Sequence, residues 1–195
     1  MDSDMSGRQV SGLLKGRYMQ EEMLEVVNEK GETLKSLPRS EIHGDPALLH
    51  RVVHVLVFNE QGKLLLQKRS MNKDVAPGRW DTSVGGHVNA GETLDEAMHR
   101  EMEEELGIAT CTTKFLYTYI HSNEFESELV YTYSCVYSGA IHFQQDEIDE
   151  VRPWSLDEIR ENSGKGILSD NFEHEMKMYL KHCSKQRTFD DSLNF

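Results

Sequence analysis

Residues 85–108, GGHVNAGETLDEAMHREMEEELGI, hold the side chains best placed to do chemistry. Two adjacent glycines open the segment, and Glu101, Glu104 and Glu105 crowd its end. On a helical wheel started at Leu94, the residues Leu94, Ala97, Met98, Met102 and Leu106 share about half the circumference, the half expected to face a core. Glu101 and Glu105 fall inside that apolar arc, and Glu104 falls on its edge. Glu96, Glu103 and His99 lie on the opposite side, where solvated polar groups are ordinary. Like charges four residues apart cost roughly 0.2–0.5 kcal/mol even when exposed, and partial burial raises the cost. A hard divalent cation removes the conflict, because Mg²⁺ is commonly held by one or two carboxylates together with substrate phosphates. The glycines let the backbone approach a ligand, and a helix N-terminus favours an anion.

Local signals define the elements that must position these acids. Thr93 and Glu96 have the spacing of a capping box, which starts a helix at Leu94. Gly107 stands where a left-handed residue would end it. Upstream, RVVHVLVF (residues 51–58) is rich in β-branched residues and apolar on both faces, so it is expected to be a central strand. A turn at residues 59–62 leads to a returning strand over 63–69, expected to pair antiparallel with it. Residues 70–81 read as a long loop. Residues 23–27 and 33–37 flank Asn28-Glu29-Lys30-Gly31 as a hairpin. Downstream, residues 114–120, 128–137 and 149–154 read as strands. Ser155 and Glu158 repeat the capping-box spacing before a short helix. Phe172, Met176, Tyr179, Leu180 and Cys183 form one stripe of a terminal helix. Strands on both sides of one long helix, with another helix at the end, predict an α/β fold with helices on a mixed sheet.

Composition narrows the function. The chain has 195 residues, 34 acidic and 21 basic, for a formal charge of −13. That length suggests one domain, with residues 1–18 a polar, flexible arm and 19–195 the domain proper. The negative charge argues against a nucleic-acid polymer as partner, since such binding needs a basic surface. No run of 18 apolar residues predicts a membrane span, and the first 15 residues lack the apolar core of a secretory signal. The three cysteines, Cys111, Cys135 and Cys183, are widely spaced without a CxxC, which suits reduced thiols in the cytoplasm.

Gly86, five residues, Glu92, seven residues, then Arg100-Glu101-Met102-x-Glu104-Glu105-x-Gly107-Ile108 resembles the Nudix box at every fixed position. The resemblance implies a Nudix-type α/β/α sandwich with a mixed β-sheet. It implies hydrolysis of a nucleoside diphosphate linked to another moiety X, with water attacking phosphorus and Mg²⁺ or Mn²⁺ assisting. Carried over by position, Glu101, Glu104 and Glu105 match metal-binding acids, with the carbonyl of Gly85 completing the site. Glu101 is also the candidate to orient or deprotonate water, Arg100 to aim a box glutamate, and Glu92 to serve structurally. Many members recruit an acid from outside the box, and Glu147 and Glu150 are the candidates here. Arg51, Lys68 and Arg69 are basic groups able to meet substrate phosphates.

A looser resemblance, over roughly residues 23–154, is to Nudix proteins related to isopentenyl diphosphate isomerase. Those isomerases use a cysteine in the loop after the tryptophan, whereas residues 80–86 here, WDTSVGG, contain none. Two alternatives thus stand beside the hydrolase: an isomerase-like enzyme, and a module that senses a nucleotide without cleaving it. Modules of the second kind tend to lose box glutamates, and this chain keeps them all.

Overall fold

A computed structural model describes residues 21–73 and 75–192; the expected arm at 1–18 lies outside them. The elements run β1 (Met23–Val27), β2 (Thr33–Pro38), α1 (Arg39–Ile42), β3 (Leu49–Phe58), β4 (Leu64–Arg69), β5 (Trp80–Asp81), β6 (Val84–His87), α2 (Leu94–Leu106), β7 (Lys114–Ser122), β8 (Ser127–Val136), β9 (Ile148–Trp154), α3 (Leu156–Asn162) and α4 (Asp170–Ser192). Among the described residues, no helix is long and apolar enough to cross a membrane.

β3 is the axis of the molecule. Its apolar, β-branched sequence is buried along almost its whole length. β8 lies parallel to it from Leu49↔Ser127 to Phe58↔Val136, and β7 pairs antiparallel with β8. The other edge of β3 is shared by three strands in turn: β1 at its start, β6 in the middle and β4 at its end. The expected 51–58/63–69 hairpin therefore holds only at its first pair, Phe58↔Leu64. β6 occupies the edge that β4 would have taken, from Val52↔His87 to Val55↔Val84. β4 instead diverges to pair antiparallel with β9 and β5. The stretch expected to be all loop before the glycines thus contains the short strand β5.

Side chains alternate across β3 and feed two cores. Val53, Val55 and Val57 join Val84, Val88, Ala97, Met98, Met102 and Leu106, which seats α2 on one face. Leu56 joins Leu64, Leu66, Trp80, Trp154, Ile159, Phe172 and Met176, which seats α3 and α4 on the other. This is the expected α/β/α sandwich with a mixed sheet. Both capping boxes form: Thr93 accepts from the Glu96 amide and Ser155 from the Glu158 amide, each acid returning the bond. Gly107 ends α2 with φ 68°.

The terminal stripe needs one correction. Phe172, Met176 and Tyr179 face the core, but Leu180 is 47% exposed. The reason is Glu175, fully buried beside Met176, which turns the inward face of α4 away from Leu180.

Candidate active site

The α2 glutamates meet the glycine strand edge-on. Glu101 is buried, Glu105 is half-buried, and Glu103 and Glu104 are exposed. Glu105 Oε2 accepts from the Gly85 amide at 3.0 Å and from Gln67 Nε2 at 3.2 Å. The Gly85 N–H is therefore given to a carboxylate rather than to a neighbouring strand. Gly86 leaves room for Glu101: a Cβ there would stand 2.0 Å from the Glu101 carboxyl carbon, so the carboxylate would have to move. The glycine pair thus lets two carboxylates rest directly on the backbone.

Arg100 ties this edge together. Its Nε and Nη2 grip Glu92 at 2.8 Å each, a bidentate pair. Nη1 reaches Glu101 at 2.6 Å and Glu104 at 3.3 Å, and Nη2 also donates to the His87 carbonyl at 2.9 Å. The paired glutamates hold the guanidinium firmly charged. Burial works against the Glu92 charge, but Arg100 outweighs it and keeps Glu92 below the ordinary carboxylate range. Glu101 goes the other way, raised by burial and by Glu104 despite Arg100. Glu105, with no cation of its own in contact, is pushed up to about 8 by burial and by the Glu101 charge. The site therefore holds more negative charge than its own residues neutralise. A donor set of carboxylate oxygens, with a cradle open only because Gly86 lacks a Cβ, fits a hard divalent cation.

The other sequence candidates fall around this centre or away from it. Arg69 donates to Asp81 at 3.4 Å and to the Val75 carbonyl at 2.9 Å, close enough for its charge to act on Glu105. Lys68 stands opposite Trp80 and Glu150 across β4's two neighbours. Arg51 is engaged in an ion pair with Glu25. Glu147 is exposed and bonded to Lys73 at 3.0 Å, and Glu150 is exposed on β9. The structure thus groups Gly85, Arg100, Glu101 and Glu105, sets Glu104 at their rim, and leaves Glu147 and Glu150 outside their hydrogen-bond network.

Two groups escape sequence reading. His43, His50, His87 and Glu126 each offer a ligand atom within 4.8 Å of the others. His43 Nε2 is 3.2 Å from His87 Nε2 and 3.4 Å from Glu126, and His50 Nε2 is buried without a partner. Burial and the neighbouring His87 drive His50 down to about 3, so it is a neutral imidazole with a lone pair to give. Three imidazoles and a carboxylate suit a borderline cation such as Zn²⁺. The second group, His54 with Glu175, spans 121 positions. The one sequence signal for either was a pair of histidines, four residues apart, inside a largely apolar strand.

An α/β/α sandwich carrying an acidic helix on a glycine-rich edge defines the class, and comparison with known proteins supplies the family. The model for the NUDIX domain matches residues 48–172. The uncharacterized Nudix hydrolase PA4841 of Pseudomonas aeruginosa is 34% identical over 131 residues, 67% of this chain and 77% of that protein. The uncharacterized Nudix hydrolase YfcD of Escherichia coli is 34% identical over 135 residues, 69% of this chain and 74% of that protein. Among solved structures, DR0079 of Deinococcus radiodurans superposes with a TM-score of 0.67 at 27% identity, over 80% of this chain and 98% of that one. The chain belongs to the Nudix family and is an enzyme of its hydrolase class.

Proposed function

We propose that the protein hydrolyses the pyrophosphate linkage of a nucleoside diphosphate bound to a second moiety X, with Mg²⁺ or Mn²⁺. The observation that supports this most directly is the cradle at Gly85 and Gly86, where two carboxylates rest on backbone and stay short of positive charge. Glu101, Glu105 and Glu104, with the Gly85 carbonyl, would hold the cation. When bound, it supplies polarisation of phosphoryl oxygens and activation of water. Arg100 orients Glu101 through its 2.6 Å bond while anchored on Glu92. Glu101 and Glu105 are the groups placed to orient a water and accept its proton. Arg69, whose charge acts on Glu105, would be a basic group from β4 to meet developing phosphate charge. The histidine cluster beside His87 would hold a second cation. The intact set of box glutamates favours hydrolysis over sensing, and the absence of a cysteine in residues 80–86 disfavours isomerase chemistry.

The test is a panel assay with Mg²⁺ in water enriched in heavy oxygen. It covers nucleoside di- and triphosphates, nucleotide sugars, dinucleoside polyphosphates, NADH, coenzyme A and isopentenyl diphosphate. Cleavage with label in one phosphate product is expected. Tight binding of one compound with no cleavage of any would overturn the hydrolase reading in favour of a sensor.

A further inference from the structure

β6 is four residues long, and both glycines of the carboxylate cradle lie on it. Its last residue, His87, makes contact in two directions. The backbone carbonyl accepts from Arg100 Nη2 at 2.9 Å, and the same guanidinium reaches Glu101 through Nη1 at 2.6 Å. The side chain belongs to the histidine cluster: Nε2 stands 3.2 Å from His43 Nε2, and Nδ1 stands 3.4 Å from a Glu22 oxygen. One residue therefore touches both the fork that holds Glu101 and the group of imidazoles.

The cluster has the spacing of a tetrahedral donor set. With metal–nitrogen distances of about 2.0–2.1 Å, neighbouring ligand atoms of a tetrahedron stand about 3.3–3.4 Å apart. His43 Nε2 is 3.2 Å from His87 Nε2 and 3.4 Å from Glu126 Oε2. His50 is fully buried, with Nδ1 turned to the Leu48 carbonyl at 3.5 Å and Nε2 without a partner among the described residues. A buried ring nitrogen is almost always satisfied. Glu22 beside His87 Nδ1 and the Leu48 carbonyl beside His50 Nδ1 are the outer partners that a metal-bound imidazole usually has. The four ligands come from the end of α1 (His43), from β3, from β6 and from the segment before β8 (Glu126). The first of these carries the N-terminal hairpin, whose own core is small. Leu24, Val26 and Ile42 are its buried apolar residues, and β1 meets β3 at one pair, Val26↔His50. So small a core gains from a staple, and a structural metal is one.

We propose that His87 is a positioning residue that couples the two centres. A Zn²⁺ held by His43, His50, His87 and Glu126 fixes the end of β6, and the His87 carbonyl then fixes the Arg100 fork that aims Glu101. The zinc acts on the carboxylate site through Arg100 rather than through contact with substrate. Its effect on turnover rests on the proposed pyrophosphohydrolase reading. Its effect on Mg²⁺ affinity requires only that the box glutamates bind a cation, and zinc binding itself requires neither.

The test uses the full chain, stripped of metal and then loaded with one equivalent of Zn²⁺. Metal analysis after gel filtration in excess Mg²⁺ should find one Zn²⁺ per chain, retained in Glu105→Gln and lost in His43→Asn, a change at a half-buried position. Co²⁺ in place of Zn²⁺ should give the intense visible bands of a tetrahedral site. Calorimetric titration with Mg²⁺ should show binding about five-fold or more tighter to the zinc-loaded than to the zinc-free chain, the usual lower scale of coupling between two sites. The same comparison in Arg100→Lys should show no difference, because an ammonium cannot fork to the His87 carbonyl and Glu101 together. With a substrate from the panel, removing zinc should lower kcat about ten-fold and leave KM nearly unchanged, as for a misaimed catalytic group. The proposal is overturned if Zn²⁺ follows Glu105 rather than His43, or if Mg²⁺ affinity is the same with and without zinc. It is also overturned if zinc tightens Mg²⁺ binding equally in Arg100→Lys, which marks a general stabilisation of the fold. Zinc-dependent Mg²⁺ affinity without turnover of any panel compound would sink the hydrolase reading and leave the coupling standing. Turnover and Mg²⁺ affinity that both ignore zinc would do the reverse.

Discussion

Glu105 and Glu175 are both carboxylates on helices packed on the sheet, Glu105 on α2 against β3 and β6 and Glu175 on α4 against β7 and β5, and their surroundings are opposite. Glu175 faces the His54 imidazole and the hydroxyls of Tyr117, Tyr119 and Thr132, and although burial opposes its charge, those hydrogen bonds hold it below the ordinary carboxylate range. His54 is correspondingly raised, its pairing with Glu175 outweighing the cost of burial. Glu105 receives one backbone amide and one side-chain amide, and the charge that acts on it most strongly is another glutamate. The fold completes one acid and leaves the other incomplete. A completed buried acid joins helix to sheet; an incomplete one stays short of positive charge. The positions of the glycines make the difference, since backbone without Cβ offers amides and space but no countercharge.

The largest expected effect breaks the incomplete side. Glu105→Gln should keep the fold and lower turnover with Mg²⁺ by roughly 10²–10³-fold, the scale for losing one electrostatic contact to a transition state. Steady-state kinetics and a thermal melt of the same sample check it, and unchanged turnover removes Glu105 from the site.

Breaking the completed side should instead cost stability. Glu175→Ala strands His54 and the tyrosine hydroxyls, with an expected loss of about 3–5 kcal/mol in urea unfolding, typical of one partner removed from a buried pair. A loss below about 1 kcal/mol would mean that α4 is held by Phe172 and Met176 alone.

The pH dependence sharpens the contrast. The Glu105 pKa is raised to about 8 in the folded chain from an ordinary value near 4.5, so its protonated form is the one the fold favours. Its contribution to stability is full below about pH 4.5 and is lost as pH rises through 8. The metal-free protein should therefore melt at lower temperature at pH 9 than at pH 6, Mg²⁺ should narrow the gap, and Glu105→Gln should flatten it. A melting profile that rises over this range contradicts the assignment.

The smallest effect concerns the start of the acidic helix. Thr93→Ala removes the cap of α2 and should cost about 1 kcal/mol, with little change in KM. A much larger loss of turnover would show that the cap also sets the angle at which α2 presents its glutamates.

The acidic helix was legible because everything about it is local. Its cap, stripe and terminating glycine lie within 15 residues, and the glutamates' position on the apolar arc follows from helical periodicity alone. The wheel even separates Glu101 and Glu105, drawn inward, from exposed Glu103. The path of β4 was not legible, because which strand takes an edge of β3 depends on competition. Gly85-Gly86 let β6 approach closely, and β4 is displaced to β9. Exposed Leu180 was misread for a similar reason: a buried glutamate reads as surface until its partners are known.

The sequence by itself determined the family signature, the two capped helices, the central strand and the glutamates drawn into the apolar arc of one helix. These follow from neighbours within a few turns of chain. Only the tertiary structure decided which charges are compensated. His54 meets Glu175 across 121 residues, and His43, His50, His87 and Glu126 gather from four separate segments. Compensation is a matter of distances of about 3 Å in a medium of low dielectric, and no periodicity along the chain encodes such a distance between remote residues.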